Sequence, residues 1–510
     1  MKKNKGENVF INNLIKLIIL VLGLILQILV IIFLYGATNS LATYATYIFE
    51  IIKFTSIIYI IYKPINASYK IIWIILLMFM PILGFVAYML WGNNRTPKKL
   101  RKKLNKIRRD TCKLLPIDKD IYNNLYNKER LKEAKYLLNV TDYPMYRCLD
   151  ATYFNVGEDY YKNLLTDLKK AEKYILMEFF IISESNMWNE IYEVLKEKAK
   201  KGIKVYLIYD SLGSLIKKPK DLEQQLEEAN IKYLKFNPMT PFIRSYINYR
   251  DHRKIIVIDG NCCYTGGINI GDEYINVNSR LGHWKDSGIR VTGKCVNSFI
   301  IMFFKLWNLN CNKLIKYSDF LIENNETNKG YIIPYSDNPM NRYNPSENTY
   351  INIINNAEDY VYIMTPYLII DSETESSLIS ASLSGIDVRI IVPSIPDKKI
   401  VNACTKSFYD NLIKSGIRIY EYTPGFIHSK VILSDDAVCN VGTVNFDFRS
   451  FYLNYECGAW MYNTGIESDI KKDFNSTFKC SKEITIKDIK RKKIGVRILE
   501  ALLRLISPLL

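Results

Sequence analysis

The feature that most constrains this chain is a cassette that occurs twice. His252-Arg-Lys254 leads through four residues to Asp259, and His428-Ser-Lys430 leads through four residues to Asp435. Counted from each His, Lys stands at +2, Asp at +7, Gly at +14 (Gly266, Gly442) and Asn at +17 (Asn269, Asn445). The 510 residues contain only three histidines, and two of them open this five-point frame, 176 positions apart. The repeat marks a duplicated half-site. Such a chain has to fold into two similar units that bring their copies of the frame together.

The residue types suit phosphodiester chemistry. Two lysines and the asparagines Asn269 and Asn445 can surround nonbridging phosphate oxygens and offset their charge. Two imidazoles, each with an ordinary pKa of about 6.5, can divide the roles of nucleophile and proton donor. Each imidazole needs a carboxylate on its other nitrogen. Glu456, 28 residues after His428, and Asp286, 34 after His252, are the candidates. The apolar runs 255–258 and 431–433 that follow each H-x-K read as strands. Residues i and i+2 share a strand face, so each His and its Lys point to a common site. The Asp at +7 has the opposite parity and stands at the strand end, where it braces a turn or ion-pairs behind the site. The G-x-x-N that follows fits a returning strand. No His, Asp or Glu cluster has metal-ligand spacing, so neither a metal nor another cofactor is expected. His283 falls outside the frame and reads as a structural or rim residue. Asp210, at a strand end, suits a helix cap as well as a site residue.

Around the cassettes the pattern is α/β. The stretches 174–182 and 202–209 read as buried strands flanking a helix. Ala357-Glu-Asp-Tyr echoes Ala171-Glu-Lys-Tyr, Gly385-Ile-Asp-Val echoes Gly202-Ile-Lys-Val, and Gly416-Ile-Arg-Ile echoes Asn230-Ile-Lys-Tyr. The expected architecture is two homologous α/β lobes with pseudo-twofold symmetry and mostly parallel, doubly covered sheets. Their bounds are 140–322 (motif 247–274) and 348–482 (motif 423–450), joined by an Asn-, Ser- and Pro-rich connection at 323–347.

Before the lobes, residues 1–93 form an expected transmembrane region with apolar segments at 14–35, 41–62 and 71–91. Each is close to the roughly 20 residues needed to span a bilayer core. The first is longer than a signal-peptide core, which favours a retained anchor. In the second, Glu50 and Lys53 can pair at i, i+3; in the third, Pro81 and Gly84 imply a kink. A basic juxtamembrane linker, 94–139, opens with nine Lys and Arg between 95 and 109 and no acid among them. Net charge is +17, from 69 Lys and Arg against 52 Asp and Glu, which calls for an anionic partner such as a bilayer surface or nucleic acid. The juxtamembrane run favours the bilayer, and the positive-inside rule puts this run and the lobes after it in the cytoplasm; three full spans would then place the N-terminal lysines outside, whereas two would keep both ends inside. Residues 483–510 read as a basic amphipathic helix, either packed on the protein or lying among headgroups. The ten cysteines include no C-x-x-C pair and read as reduced thiols.

The doubled H-x-K-x4-D resembles the signature of the phospholipase D superfamily. Three longer strings are similar to bacterial cardiolipin synthases: Tyr249-Arg-Asp-His-Arg-Lys-Ile-Ile-Val-Ile-Asp-Gly260, Gly266-Gly-Ile-Asn-Ile-Gly-Asp-Glu-Tyr274, and 441–456, which reads Val-Gly-Thr-Val-Asn-Phe-Asp-Phe-Arg-Ser-Phe-Tyr-Leu-Asn-Tyr-Glu. The ending Arg504-Leu-Ile-Ser-Pro-Leu-Leu510 belongs with them, and so does Pro81-Ile-Leu-Gly84. The resemblance covers most of the chain beyond about residue 41. It implies His252, Lys254, Asp259, His428, Lys430 and Asp435 as active-site residues. It also implies phosphatidyl transfer between two phosphatidylglycerols, with release of glycerol, in a cell membrane. A phospholipase D-type hydrolase or a phosphatidylserine synthase would use the same groups with water or serine as acceptor. A nuclease and a non-enzymatic membrane scaffold stand further off, the first against the membrane segments and the second against intact cassettes. Membrane phospholipid is thus the expected partner and nucleic acid is not. The acceptor alcohol, the choice of nucleophilic histidine, two versus three membrane spans, the side of the lobes and the oligomeric state stay open.

Overall fold

The structure, a computed structural model, describes residues 18–29, 32, 40–92, 98–238, 248–278, 280–311, 314–323 and 329–509. Parts of the expected apolar segment 14–35 and of the connection 323–347, and Arg95 of the basic run, lie outside this set. The chain divides into two compact units, one built mainly from the first 97 residues and the other from Lys98–Pro238 and Tyr249–Pro508.

In the N-terminal unit, helix Ser40–Tyr62 is followed by helices Ala67–Phe79 and Pro81–Ala87. Proline restricts the residue before it to extended backbone. Met80 accordingly sits at φ −136°, ψ 73°, and the apolar segment 71–91 is two α-helices followed by a π-helical turn at Tyr88–Gly92, where the sequence suggested one kinked span. Ile60, Leu77 and Tyr88 form a small core. Lys53 and Glu50 pair at 2.6 Å, and the Gln27 side chain accepts a hydrogen bond from the Ile82 amide at 2.9 Å. Ile51, Ile58, Met78 and Phe79 are exposed. Among the described residues no helix is long and apolar enough to cross a membrane.

The second unit holds a seven-stranded and a ten-stranded sheet that share one seven-strand arrangement. In chain order the first lobe has β1 (Asp150–Phe154), β2 (Tyr174–Phe179), β3 (Lys204–Asp210), β4 (Lys232–Phe236), β5 (Ile255–Ile258), β6 (Cys262–Gly266) and β7 (Gly288–Thr292). The second has β8 (Tyr331–Asp337), β9 (Tyr360–Met364), β10 (Asp387–Pro393), β11 (Arg418–Tyr422), β12 (Val431–Ser434), β13 (Val438–Gly442) and β14 (Asn454–Tyr462). Spatial order is β1-β7-β6-β5-β2-β3-β4 in the first and β8-β14-β13-β12-β9-β10-β11 in the second. The permutation is identical. Strands Tyr146–Arg147 and Ser481–Ile484 extend the two edges of the second sheet.

The sheets are mixed, which corrects the expectation of mostly parallel ones. Among these fourteen strands only β2-β3-β4 and β9-β10-β11 are mutually parallel. Helices Asn186–Lys200 and Ser372–Leu383 make the crossovers between the first two strands of each set, as parallel neighbours require. The other strands pair antiparallel, and tight hairpins join β5 to β6 and β12 to β13. Asp259 and Gly260, and likewise Asp435 and Asp436, have positive φ of 55–72°, the conformation that closes a tight hairpin with the twist of its strands.

Two boundaries shift. Part of the connection 323–347 is β8, whose Ile332, Ile333 and Tyr335 are wholly buried against β14. Its polar neighbours in sequence obscured it. The segment expected to be a juxtamembrane linker also folds onto the lobes. Helix Lys128–Thr141 buries Arg130, Glu133, Ala134, Leu137 and Thr141, a helical stripe, and Glu133 accepts a hydrogen bond from the Trp460 indole at 2.8 Å. Lys103 donates to the Leu309 and Cys311 carbonyls at the end of helix Val296–Asn310. That helix is apolar on every side, with Phe299 to Phe304 completely buried, and it packs on strands of both lobes. All ten cysteines are free thiols and seven are buried.

Candidate active site

The cassettes approach each other through exchanged backbone. Arg250–Asp251 pairs in parallel with Asn454 and Tyr455 of the other lobe, and His283–Lys285 pairs with Gly425–Ile427. The His252 amide donates to the Tyr455 carbonyl at 2.9 Å, and the His428 amide to the Lys285 carbonyl at 2.7 Å. The next residues in those partners are Glu456 and Asp286. Each imidazole therefore meets a carboxylate from the opposite lobe. His252 Nδ1 lies 3.0 and 3.1 Å from the Glu456 oxygens, and His428 Nδ1 lies 2.6 Å from Asp286 Oδ2. The sequence count measured each carboxylate from the histidine of its own half; the fold pairs them crosswise.

The carboxylates are themselves fixed. Glu456 accepts hydrogen bonds from the Thr443 hydroxyl and, at 3.1 Å, from Asn454. Asp286 Oδ1 accepts from the Ser287 amide at 2.8 Å. The glycines at +14 let these strands close. A Cβ on Gly266 would stand 2.4 Å from the Ser287 carbonyl oxygen, and one on Gly442 at 2.4 Å from that of Cys457. On Gly267 it would meet Asp286 Oδ1 at 2.0 Å.

Burial governs the electrostatics. Both imidazoles are 8% exposed, and the Lys254 and Lys430 side chains are sealed from solvent. Loss of hydration disfavours a charged imidazole or ammonium. It lowers His252 to about 4 and His428 to about 3, with the lysines adding to the effect and the carboxylates opposing it. Burial likewise lowers Lys254 to about 8 and Lys430 to about 7, against the pull of Glu456 and Asp286. Burial works to raise Glu456, but the His252 charge and hydrogen bond outweigh it and hold the carboxyl below its usual range. Each lysine acts on the other cassette's imidazole, so the four groups form one electrostatic unit. Each ammonium donates to the main-chain oxygen of its own histidine, His252 or His428.

Asp259 and Asp435 stand elsewhere. Asp259 accepts from the amides of Glu172, Lys173 and Tyr174 at 2.7–2.8 Å. Asp435 accepts from those of Glu358, Asp359 and Tyr360 at 2.9–3.1 Å and lies 3.3 Å from Arg130. Both carboxylates hold the entrance of the neighbouring strand, as the parity of the cassette requires, which corrects their implied place among the reacting groups. The asparagines at +17 follow the returning strand. Asn269 accepts from the Ile181 amide and donates to the Tyr274 hydroxyl. Asn445 donates to Asp447 at 3.2 Å, and its Oδ1 is buried without a hydrogen bond. His283 is an exposed residue on the inter-lobe strand, with Nδ1 2.9 Å from the Tyr422 hydroxyl. Asp210 accepts from the amides of Leu212, Gly213 and Asp251, bracing a loop against the first cassette.

Several neighbours escaped sequence reasoning. Phe180 packs edge-on against His252 at 5.1 Å, while Trp284 and Tyr274 flank His428 at 5.5 and 5.7 Å. Arg253, between His252 and Lys254, is buried with Glu178 at 2.6 Å and Asp251 at 3.2 Å. A glutamate inside the apolar run of β2 was the one available signal of that cluster. Among the described residues, no three His, Cys, Asp or Glu side chains are grouped to hold a metal ion.

The geometry has relatives. Residues 164–294 and 350–478 match the family described as cardiolipin synthase, PLD-like domain, and 51–93 match the phospholipase D-nuclease N-terminal family. An uncharacterized protein of Streptococcus mutans is 39% identical over 89% of this chain and 99% of its own length. A cardiolipin synthase of Alkalihalophilus pseudofirmus is 32% identical over 89% of this chain and 91% of its own. The crystal structure of phosphatidylserine synthase from Haemophilus influenzae has the same fold, with a TM-score of 0.57 and 15% identity over 74% of this chain and 100% of that one. Duplicated cassettes, sheets that share one strand order and these relatives agree, and the chain belongs to the cardiolipin synthase family of phospholipase D-like enzymes.

Proposed function

We propose that the protein is a cardiolipin synthase that moves a phosphatidyl group from one phosphatidylglycerol to another. The observation that carries this reading is the crossed pairing of His252 with Glu456 and His428 with Asp286. With Nδ1 committed to a carboxylate, Nε2 is the nitrogen left for substrate. Burial keeps both imidazoles unprotonated, the state a nucleophile needs. One Nε2 attacks phosphorus and forms an N–P bond as the P–O bond to the glycerol headgroup breaks. The other histidine supplies the proton to the departing glycerol. An anionic phosphodiester beside the lysines offsets the positive field they add to the effect of burial, which favours proton uptake by this second ring when substrate binds. That histidine then removes the proton from a headgroup hydroxyl of a second phosphatidylglycerol. The hydroxyl oxygen attacks phosphorus, the N–P bond breaks, and cardiolipin leaves. His252 is the favoured nucleophile, by analogy with the superfamily.

Lys254 and Lys430 neutralise the phosphate, and Asn269 and Asn445 support its oxygens, so no divalent ion is needed for the chemistry. Asp259 and Asp435 act as positioning residues. One phosphodiester replaces another, so the reaction is near thermoneutral and runs backwards with excess glycerol. The protein works at the cell membrane as a multi-pass protein with its lobes in the cytoplasm; the apolar segments and the basic run after them support this.

Radiolabelled phosphatidylglycerol in excess EDTA tests the reaction. Cardiolipin and glycerol in equal amounts are expected. Phosphatidic acid as the main product would make the protein a hydrolase, and an absolute need for CDP-diacylglycerol and serine would make it a phosphatidylserine synthase.

A further inference from the structure

The C-terminal helix Ile494–Leu505 is amphipathic in the reverse sense to a core-packed helix. The side chains it turns to the second lobe are Glu500, Leu503 and Arg504, at i, i+3 and i+4. Glu500 and Leu503 are buried. Glu500 pairs with Lys492 at 2.7 Å. The Lys492 ammonium also donates to the Lys406 carbonyl. Arg504 pairs with Glu375, and its guanidinium stacks 4.5 Å from the Phe408 ring. On the opposite face Ile494, Ile498, Leu502 and Leu505 follow one another at helical spacing and are 78, 58, 57 and 41% exposed. The helix it packs on, Lys399–Ser407, also exposes Ile400.

An apolar helical stripe left in water is unfavourable and marks a surface that something covers. The charge beside it narrows the choice. Between 486 and 505 there are seven Lys and Arg and two acids. Of those acids Glu500 is spent on Lys492 and Asp488 caps the preceding helix. Lys487, Lys490, Arg491, Lys493 and Arg497 are all exposed. Exposed apolar side chains beside unneutralised basic ones fit a surface whose interior is hydrocarbon and whose rim is anionic. We infer that helix Ile494–Leu505 lies on an anionic phospholipid bilayer, with Ile494, Ile498, Leu502 and Leu505 below the headgroups and the basic residues among them. The polar face, clamped to the second lobe by Arg504 and Lys492, then ties that lobe to the bilayer. The inference does not depend on which acceptor the active site uses.

The test uses the full chain in lipid nanodiscs, with exposed Cys112 and Cys480 changed to Ser and a nitroxide attached at Ile498→Cys. A second label at Glu197→Cys, exposed on the first lobe, serves as reference. Collision with oxygen and with a water-soluble nickel chelate separates three environments. Lipid gives high oxygen and low nickel, water gives high nickel, and a protein contact gives low values of both. In discs containing phosphatidylglycerol, the label at 498 is expected to report lipid and the one at 197 water, with the lipid signal weakened in pure phosphatidylcholine. High nickel at 498 in phosphatidylglycerol discs overturns the proposal. So does low access to both reagents, which would mean that a second copy or another segment of the chain covers the helix. Equal immersion in both lipids overturns the anionic part. Independently, Ile498→Asp with Leu502→Asp should lower turnover of bilayer substrate about tenfold while leaving turnover of a short-chain, water-soluble phosphatidylglycerol unchanged. Equal loss on both substrates contradicts a membrane role.

Discussion

Glu456 lies 3.0 Å from Nδ1 of His252, a residue 204 positions earlier and in the other lobe. Asp286 repeats the relationship with His428 across 142 positions at 2.6 Å. Neither lobe alone contains an oriented imidazole. Glu456→Gln keeps the size of the side chain and removes its charge. It should lower kcat about 10²–10⁴-fold by losing the imidazole's tautomer and charge support, with little change in melting. Asp286→Asn should behave alike. Thermal denaturation beside steady-state kinetics reads both, and a variant with full activity would remove that carboxylate from the mechanism.

The cassette aspartates should separate from the cassette histidines. Asp259→Ala leaves the amides of Glu172, Lys173 and Tyr174 without their acceptor and should cost about 1–3 kcal/mol of stability. Activity measured well below the melting temperature should stay within about tenfold of the parent. Asp435→Ala should show the same pattern. Unchanged melting with abolished activity would contradict the positioning role.

Lys254 and Lys430 are expected to show the reverse. Both are fully buried cations, so an apolar side chain of similar length relieves a desolvation cost. Lys254→Met and Lys430→Met should melt at or above the parent temperature yet lose at least about 10³-fold in kcat/KM. Retained turnover in either would mean that its ammonium does not meet the phosphate.

How much was legible in the sequence depends on the range of each signal. The frame at +2, +7, +14 and +17 is local, and it identified the groups that converge. Parity correctly set the aspartates apart, because side-chain direction alternates along a strand whatever the tertiary fold. The crossed carboxylates were not legible as pairs, since spacing counted within one half carries no trace of a contact made in three dimensions. Sheet direction failed for a related reason. Buried runs such as those of β2 and β3 look parallel by composition, while the hairpin turns at Asp259 and Asp435 reverse half of each sheet. The strand at Tyr331–Asp337 was hidden by polar neighbours, and helix Lys128–Thr141 by the basic run before it.

The pH profile should be displaced on both sides. His252 at about 4 and His428 at about 3 remain unprotonated far below the ordinary value of about 6.5. The acid limb of kcat/KM should therefore fall near pH 4. Lys254 at about 8 and Lys430 at about 7 lose their charge early, so the basic limb should fall between pH 7 and 8. Stability takes a different course. All four groups bind protons less tightly folded than unfolded, so the unfolded chain holds more protons in each window. Their contribution therefore rises with pH, from about 3 to 6.5 for the histidines and from about 7 to 10.4 for the lysines. Melting and kinetics measured across the same buffers should part above pH 8. An acid limb at 6.5 would contradict the buried imidazoles.

Membrane sidedness can be read with native thiols. Cys112 and Cys480 are exposed and Cys148 is buried, so the first two are the reporters. In intact cells an impermeant maleimide should leave both unlabelled and should label them after the membrane is opened. Labelling of Cys480 from outside would reverse the expected orientation of the lobes.

The most direct test of the two-histidine account is to trap the intermediate. Enzyme mixed with phosphate-labelled phosphatidylglycerol and quenched in alkali should carry a covalent label that survives base and is lost in acid, as a phosphorus–nitrogen bond is. The label should vanish in His252→Ala and persist, or accumulate, in His428→Asn, where attack can occur and the proton transfers are impaired. Turnover by the parent enzyme with no protein-bound label, or a label that is lost in base and kept in acid, would contradict the account.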